Sequence, residues 1–239
     1  MKPTITPLVL SSATFGLMLG IAQNAQAALI PAISVTTSLG VDPSIPWNIN
    51  NTVNGQGLLP SNNPSLTGNH LASNFTGTAW RSANLNVPSG STITGDITFT
   101  LGGTYSVSGF TFWNFGGSSF NLASQGIRDV TVEFRNGSGA WLPVPGAPTT
   151  FALGQFDGSG TGATLPDQLP QAFTFAPVTA TQIRFVNLST FTNAALVGSN
   201  NQLGFNEVQF DGTPQVPEPS SLLALLAVGL GGVSLRKRI

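Results

Sequence analysis

Five residues in apparent loops, Trp47, His70, Phe75, Arg81 and Phe120, are of the types from which sugar sites are built. Such sites set an aromatic platform against the sugar and fix its hydroxyls with a few polar groups. Covalent chemistry has fewer footholds. A Ser-His-Asp hydrolase would need His70, the only histidine, yet no G-x-S-x-G elbow surrounds a serine. Glycoside hydrolysis asks only for two carboxylates at a suitable separation, so it stays open as a third choice behind non-catalytic binding. The absence of cysteine excludes a thiol nucleophile and a cysteine zinc site.

Between positions 28 and 215 the only basic residues are Arg81, Arg128, Arg135 and Arg184, against eight acids, and there is no lysine. Such a surface offers no electrostatic footprint for a phosphate backbone, which excludes nucleic acid as a partner. The stretch has the length of one domain rather than two.

The elements that must position the loop residues are strands. In Ile93-Thr94-Gly95-Asp96-Ile97-Thr98-Phe99-Thr100-Leu101 the apolar side chains recur with a period of two, and Val130, Val132 and Phe134 repeat the pattern. On the latter strand Asp129, Thr131, Glu133 and Arg135 take the opposite face, so Asp129 and Glu133 read as a solvated face rather than a catalytic pair. Further strands are expected at 107–113, 171–175, 182–188 and 204–210. Gly102-Gly103, Asn136-Gly137, Asp157-Gly158 and Asp211-Gly212 punctuate them as turns. Many short strands without a helical period predict an all-β antiparallel sandwich or jelly roll.

Both ends read as targeting segments. Lys2, an apolar run over 8–21 and the small-residue pattern Ala25-Gln26-Ala27 form a secretory signal peptide over 1–27, with cleavage after Ala27; an uncleaved anchor is the alternative. At the other end stand Val216, Pro217, Glu218 and Pro219, an uncharged run over 220–235, and the basic residues Arg236, Lys237 and Arg238. Pro217 and Pro219 lack amide hydrogens and keep the chain extended, so a helix starts no earlier than Ser220 or Ser221. A helix over 220–235 would be roughly 24 Å long, short of a hydrocarbon core of about 30 Å, and would span with thinning or snorkelling. The basic cluster then marks the cytoplasmic side.

These three tail parts, in this order, resemble the PEP-CTERM signal of exported bacterial proteins. The resemblance implies handling by an exosortase-type membrane processing enzyme, and it makes 216–239 a sorting segment that holds the chain at the inner membrane in transit or as an anchor. A second resemblance lies in 52–212. Asn51-Thr52-Val53-Asn54-Gly55, Ala79-Trp80-Arg81-Ser82, the run 97–110, Gly126-Ile127-Arg128-Asp129-Val130 with Trp141, Ala180-Thr181-Gln182-Ile183-Arg184-Phe185 and Gly204-Phe205-Asn206-Glu207-Val208 keep the order and rough spacing of a discoidin, or coagulation-factor type C, domain.

That resemblance implies a galactose-binding-like jelly roll serving as a non-catalytic module for carbohydrates or other surface ligands. It places Trp80 and Trp141 in the core. It also implies a structural calcium between the early loop and the last strand, at Asn54, Gly55 and Glu207, although Asn54 stands where the family often has an aspartate. Arg81 and Arg184 read as partners of buried carboxylates before ligand clamps. The resulting expectation is an exported, matrix-associated domain over 28–215 that binds an extracellular glycan. A structural matrix protein without a small ligand is the alternative.

Overall fold

The computed structural model describes residues 28–44, 47–73, 77–159, 165–196 and 201–215. The segment 1–27 expected to be a signal peptide, with Ala25 and Ala27, the tail from Val216 to Arg238, and Phe75 lie outside the described residues. Strands β1 (Ala28–Ile30), β2 (Ala32–Thr37), β3 (Trp80–Arg81), β4 (Ile93–Asn114), β5 (Thr131–Arg135), β6 (Leu142–Pro143), β7 (Gln171–Leu188) and β8 (Gly204–Pro214) form one antiparallel sheet, and among the described residues helix is confined to a short α1 (Phe120–Ala123) and two 3-10 turns.

The sheet closes on itself through its two long strands. The first half of β4 pairs β2 on one side and β7 on the other, while its second half exchanges β2 for β8. Register shifts between Thr100 and Tyr105 and between Val107 and Gly109 accompany that exchange, as bulges that bend a strand do. Phe99 from the first half and Phe110 from the second therefore meet the same ring, Phe210, at 5.3 and 6.0 Å. Phe185, Phe205 and Trp80 complete a core of aromatic residues that are fully buried. The all-β antiparallel fold expected from the period of two is the fold observed.

Four sequence expectations change here. Gly102-Gly103 and Asp211-Gly212 are not turns but lie inside β4 and β8, so the strands expected at 93–101 and 107–113 are one, as are those at 171–175 and 182–188. At Gly212 the backbones come too close for a side chain, since a Cβ would sit 2.1 Å from the Ser106 carbonyl oxygen. Trp141 is not a core residue; it is half-buried beside the two-residue edge strand β6, with the Arg135 and Arg184 guanidiniums 4.5 and 4.3 Å from its ring centre. Strands β1 and β2 have no counterpart among the expected strands.

On β8 the side chains of Val208 and Phe210 enter the core, which turns Glu207 and Gln209 to the other face. Asn206 is an extra residue opposite the Trp113–Asn114 step, and this bulge returns Phe205 to the core side. Over the outer face lies the segment 54–73. Its Leu66 and Gly68 carbonyls accept from the Thr111 hydroxyl (2.9 Å) and the Trp113 indole (2.9 Å), and its coverage leaves Glu207 and Gln209 buried.

Candidate functional site

A cleft of about 660 Å³ opens between β2 and the segment that follows it. Val35, Ile49, Trp47 and Trp80 give it an apolar floor and wall, while Thr37, Asn48 and Asp42 bring polar groups to it. Size and composition are those of a small-ligand site.

The cleft is built by a turn that four residues hold. Gly40, at φ +68°, reverses the chain after β2, and its carbonyl accepts the Trp80 indole N–H at 3.1 Å. Asp42 then folds its carboxylate back on Ser44, accepting from the amide (2.9 Å) and the hydroxyl (2.7 Å). The same carboxylate accepts from Gln202 (2.9 Å) and pairs with Arg81, whose guanidinium lies 5.1 Å from the Trp47 ring centre. Trp47 rests in turn on Phe115 at 5.7 Å. Burial pushes the Asp42 carboxyl up, but the Ser44, Gln202 and Arg81 hydrogen bonds outweigh it and hold the group far below the usual carboxylate range.

Among the described residues that line the cleft Asp42 is the single carboxylate, and its hydrogen bonds favour the ionised form. A smaller cleft of about 230 Å³, between 152–155 and 168–171, is lined by glutamines and contains no acid.

The sequence candidates separate in space. Trp47 lines the cleft, and Arg81, which does not line it, contacts Trp47 and pairs with Asp42 as a carboxylate partner. Phe120 stands apart on α1, 42% exposed, with its ring 5.8 Å from that of Phe156. His70 is fully buried within the segment 54–73 and lines neither of these two clefts. Asp42 was legible only as one acid among eight; the Asp-Pro-Ser spacing at 42–44, suited to a side-chain-capped turn, is the local signal that marks it.

Of the three expected calcium ligands, Gly55 and Glu207 meet, whereas Asn54 does not join them. Asn54 is exposed and its Oδ1 accepts from the Gln56 amide at 2.8 Å. Glu207 Oε1 accepts from the Gly55 amide (3.1 Å) and from Gln209, while Oε2 faces the His70 Nε2 at 4.0 Å. Calcium takes about six to eight oxygens. The donors around Glu207 are N–H groups and an imidazole, so these residues do not fit that ion. Burial raises the Glu207 carboxyl well above its ordinary value, against the lowering effect of Gly55 and Gln209, and it lowers the His70 imidazole.

Of the four arginines among the described residues three pair with carboxylates: Arg81 with Asp42, Arg128 with Asp129 (2.6 Å) and Arg184 with Glu133 (2.6 Å). Binding of duplex DNA or heparin-like polyanions is therefore expected to be undetectable at micromolar protein and physiological salt. A salt-dependent binding curve in that range would contradict the charge reading, because it requires clustered cations that displace counterions.

Comparison with known proteins places the tail. Residues 215–238 match the family model described as the PEP-CTERM protein-sorting motif. The chain ends in a PEP-CTERM motif. No curated protein matches the chain. Among solved structures the chain is similar to CBM32-3 from a family 31 glycoside hydrolase of Clostridium perfringens, with 15% identity, 77% of this chain and 95% of that chain covered, and a TM-score of 0.44. It is similar also to a CBM32-5 module of C. perfringens in complex with GalNAc-β-1,3-galactose (13%, 77% and 99%, 0.45) and to an F5/8 type C domain from Bacteroides fragilis (12%, 80% and 99%, 0.44).

Proposed function

We propose that this chain is an exported, cell-surface or matrix-associated protein whose β-sandwich binds an extracellular glycan without catalysing its turnover. The cleft beside β2 carries the reading: an apolar floor with Trp47 in its wall, a rim of fixed polar groups, and no second carboxylate. Glycan hydroxyls would meet Asn48, Thr37 and the cleft-facing side of the Asp42 turn, while the pyranose face would lie on the apolar floor. The PEP-CTERM motif supports the accompanying assignment of sorting by an exosortase-type membrane enzyme. Among the described residues no helix is long and apolar enough to cross a membrane; the tail run 220–235 lies outside them.

A glycan array probed with the 28–215 domain tests the reading. Binding of a defined set of neutral or acidic oligosaccharides is expected, with Val35→Glu in the cleft floor weakening it at least tenfold, equivalent to about 1.4 kcal/mol. Exposed Phe120→Ala, outside the cleft, is expected to leave it unchanged. Release of reducing sugar from a bound oligosaccharide would assign the protein to the glycosidases instead, and an array without any signal would favour a structural matrix protein.

A further inference from the structure

The charges in and around the β2 cleft decide which saccharides it can hold. Asp42 is the one ionisable group among the lining residues, and its acceptor positions are filled. Oδ1 takes the Ser44 amide and hydroxyl, and Oδ2 takes Gln202 and Arg81. A carboxylate offers about four such positions, so none is left for a ligand hydroxyl. Arg81, the cation that balances Asp42, stands outside the lining, with its second terminal nitrogen 3.5 Å from the Gln125 side chain.

A second acid adjoins the cleft without lining it. Asp96 of β4 accepts from the hydroxyls of Thr98 (2.8 Å) and of Ser38 (2.7 Å), the residue after lining residue Thr37. Its carbonyl accepts from the Thr37 hydroxyl at 2.8 Å. Among the described residues no arginine pairs with it. Arg184 shares a row of the sheet with Thr98 and Thr36, yet its guanidinium turns the opposite way, to Glu133 and Trp141. Arg128 is engaged by Asp129, and Arg135 by Gln182 and the Trp141 ring. Two carboxylates and one guanidinium therefore stand about the cleft, and the surplus charge is negative.

We propose, building on the glycan binding assigned to this cleft, that it selects uncharged saccharides and excludes uronate-bearing ones, with Asp42 and Asp96 as the specificity-determining groups. A uronate seated there would exchange its hydration for an apolar floor, find no cation to pair with, and lie beside like charge. A neutral pyranose gives up only hydroxyl hydration, which polar groups of the rim replace.

The test is a calorimetric titration of the full-length chain in mild detergent with oligomers of glucose, mannose and galactose, each beside the uronate oligomer of the same linkage and length. At low salt at least one neutral oligomer is expected to bind, and to bind at least tenfold tighter than its uronate partner. Two further arms identify charge as the cause. Raising the salt from about 0.05 to about 0.5 M shortens the screening length and should narrow the ratio by strengthening uronate binding alone. Thr36→Lys places a cation at an exposed β2 position that lines the cleft, and should narrow the ratio in the same direction. Should that variant fail to fold, the salt series on the wild type still decides. Uronate binding that equals or exceeds the neutral and is lost in Val35→Glu would overturn the charge selection while leaving glycan binding at the cleft standing. A neutral preference that neither salt nor Thr36→Lys changes would overturn it too, because shape alone would then select. No binding by any oligomer of either kind would remove the glycan reading and the selection with it.

Discussion

Asp42→Asn is expected to lower the stability of the domain by about 3–5 kcal/mol, because it strips the Arg81 guanidinium of its carboxylate where both groups are nearly buried. For a domain of this size that corresponds to a fall in melting temperature on the order of 10 °C. The variant also frees the turn that shapes the cleft, so ligand binding should fall with it. The pH dependence follows from the depressed carboxyl. Its contribution is complete above the unfolded value of 3.8 and fades as pH drops below that toward the lower folded value. Wild type should therefore lose stability relative to Asp42→Asn below about pH 4, and the two melting curves should approach each other there. The exposed Asp157, which bonds only to its neighbour Ser159 through the contacts described, supplies the control: Asp157→Asn should stay within about 0.5 kcal/mol of wild type. An Asp42→Asn melt within a degree of wild type at pH 7 would show that the turn does not depend on the ion pair.

Replacing Pro217, Glu218 and Pro219 together by alanine is expected to block processing while leaving export intact. The three residues lie inside the matched sorting motif, and the change removes both prolines, which lack amide hydrogens, and the acidic group between them. Full-length chain should accumulate in the inner membrane, seen by fractionation, and mass spectrometry should find the intact tail. Unchanged release with an unchanged C-terminus would separate the motif from sorting in this protein.

Local periodicity carried the fold further than it carried the site. The alternation through Ile97, Phe99 and Leu101 is decided by one buried face, and it identified a strand whose rings do enter the core. Glycine pairs were less legible. Gly102-Gly103 has the composition of a turn, yet long-range pairing to β7 and β8 carries β4 straight through it, and the irregularity survives as a bulge. Strands β1 and β2 are separated by Pro31 and are fixed by partners far along the chain, β8 and β4, so no local pattern announces their pairing. Trp141 occupies a place that the family resemblance assigns to the core, but the edge strand beside it is too short to cover the ring, and two arginines do so instead.

For the cleft, the sequence identified Trp47 and Arg81 as candidates without joining them. Their union depends on Asp42, which reaches Arg81 across 39 positions of sequence, and on Gln202, which reaches Asp42 across 160. Contacts of that span leave no trace in spacing or periodicity. The same holds for Gly55 and Glu207, which the family resemblance brought together and the structure joins by a hydrogen bond across 152 positions. What the resemblance could not supply was the neighbour of the remaining carboxylate oxygen, because His70 faces it from a segment with no regular pattern.

Glycan binding in the β2 cleft is tested most directly by the indole N–H signals of the four tryptophans in the 15N-labelled domain, titrated with soluble matrix oligosaccharide. Trp47 and Trp80 line the cleft, Trp80 through a hydrogen bond to the Gly40 carbonyl. Trp113 donates to Gly68 beneath the covering segment, and Trp141 lies on the outer face of β5 and β7. Binding at the cleft must shift the Trp47 and Trp80 signals in a saturable manner and leave those of Trp113 and Trp141 in place. Saturable shifts confined to Trp141, or no shift in any indole at millimolar oligosaccharide, would contradict the assignment.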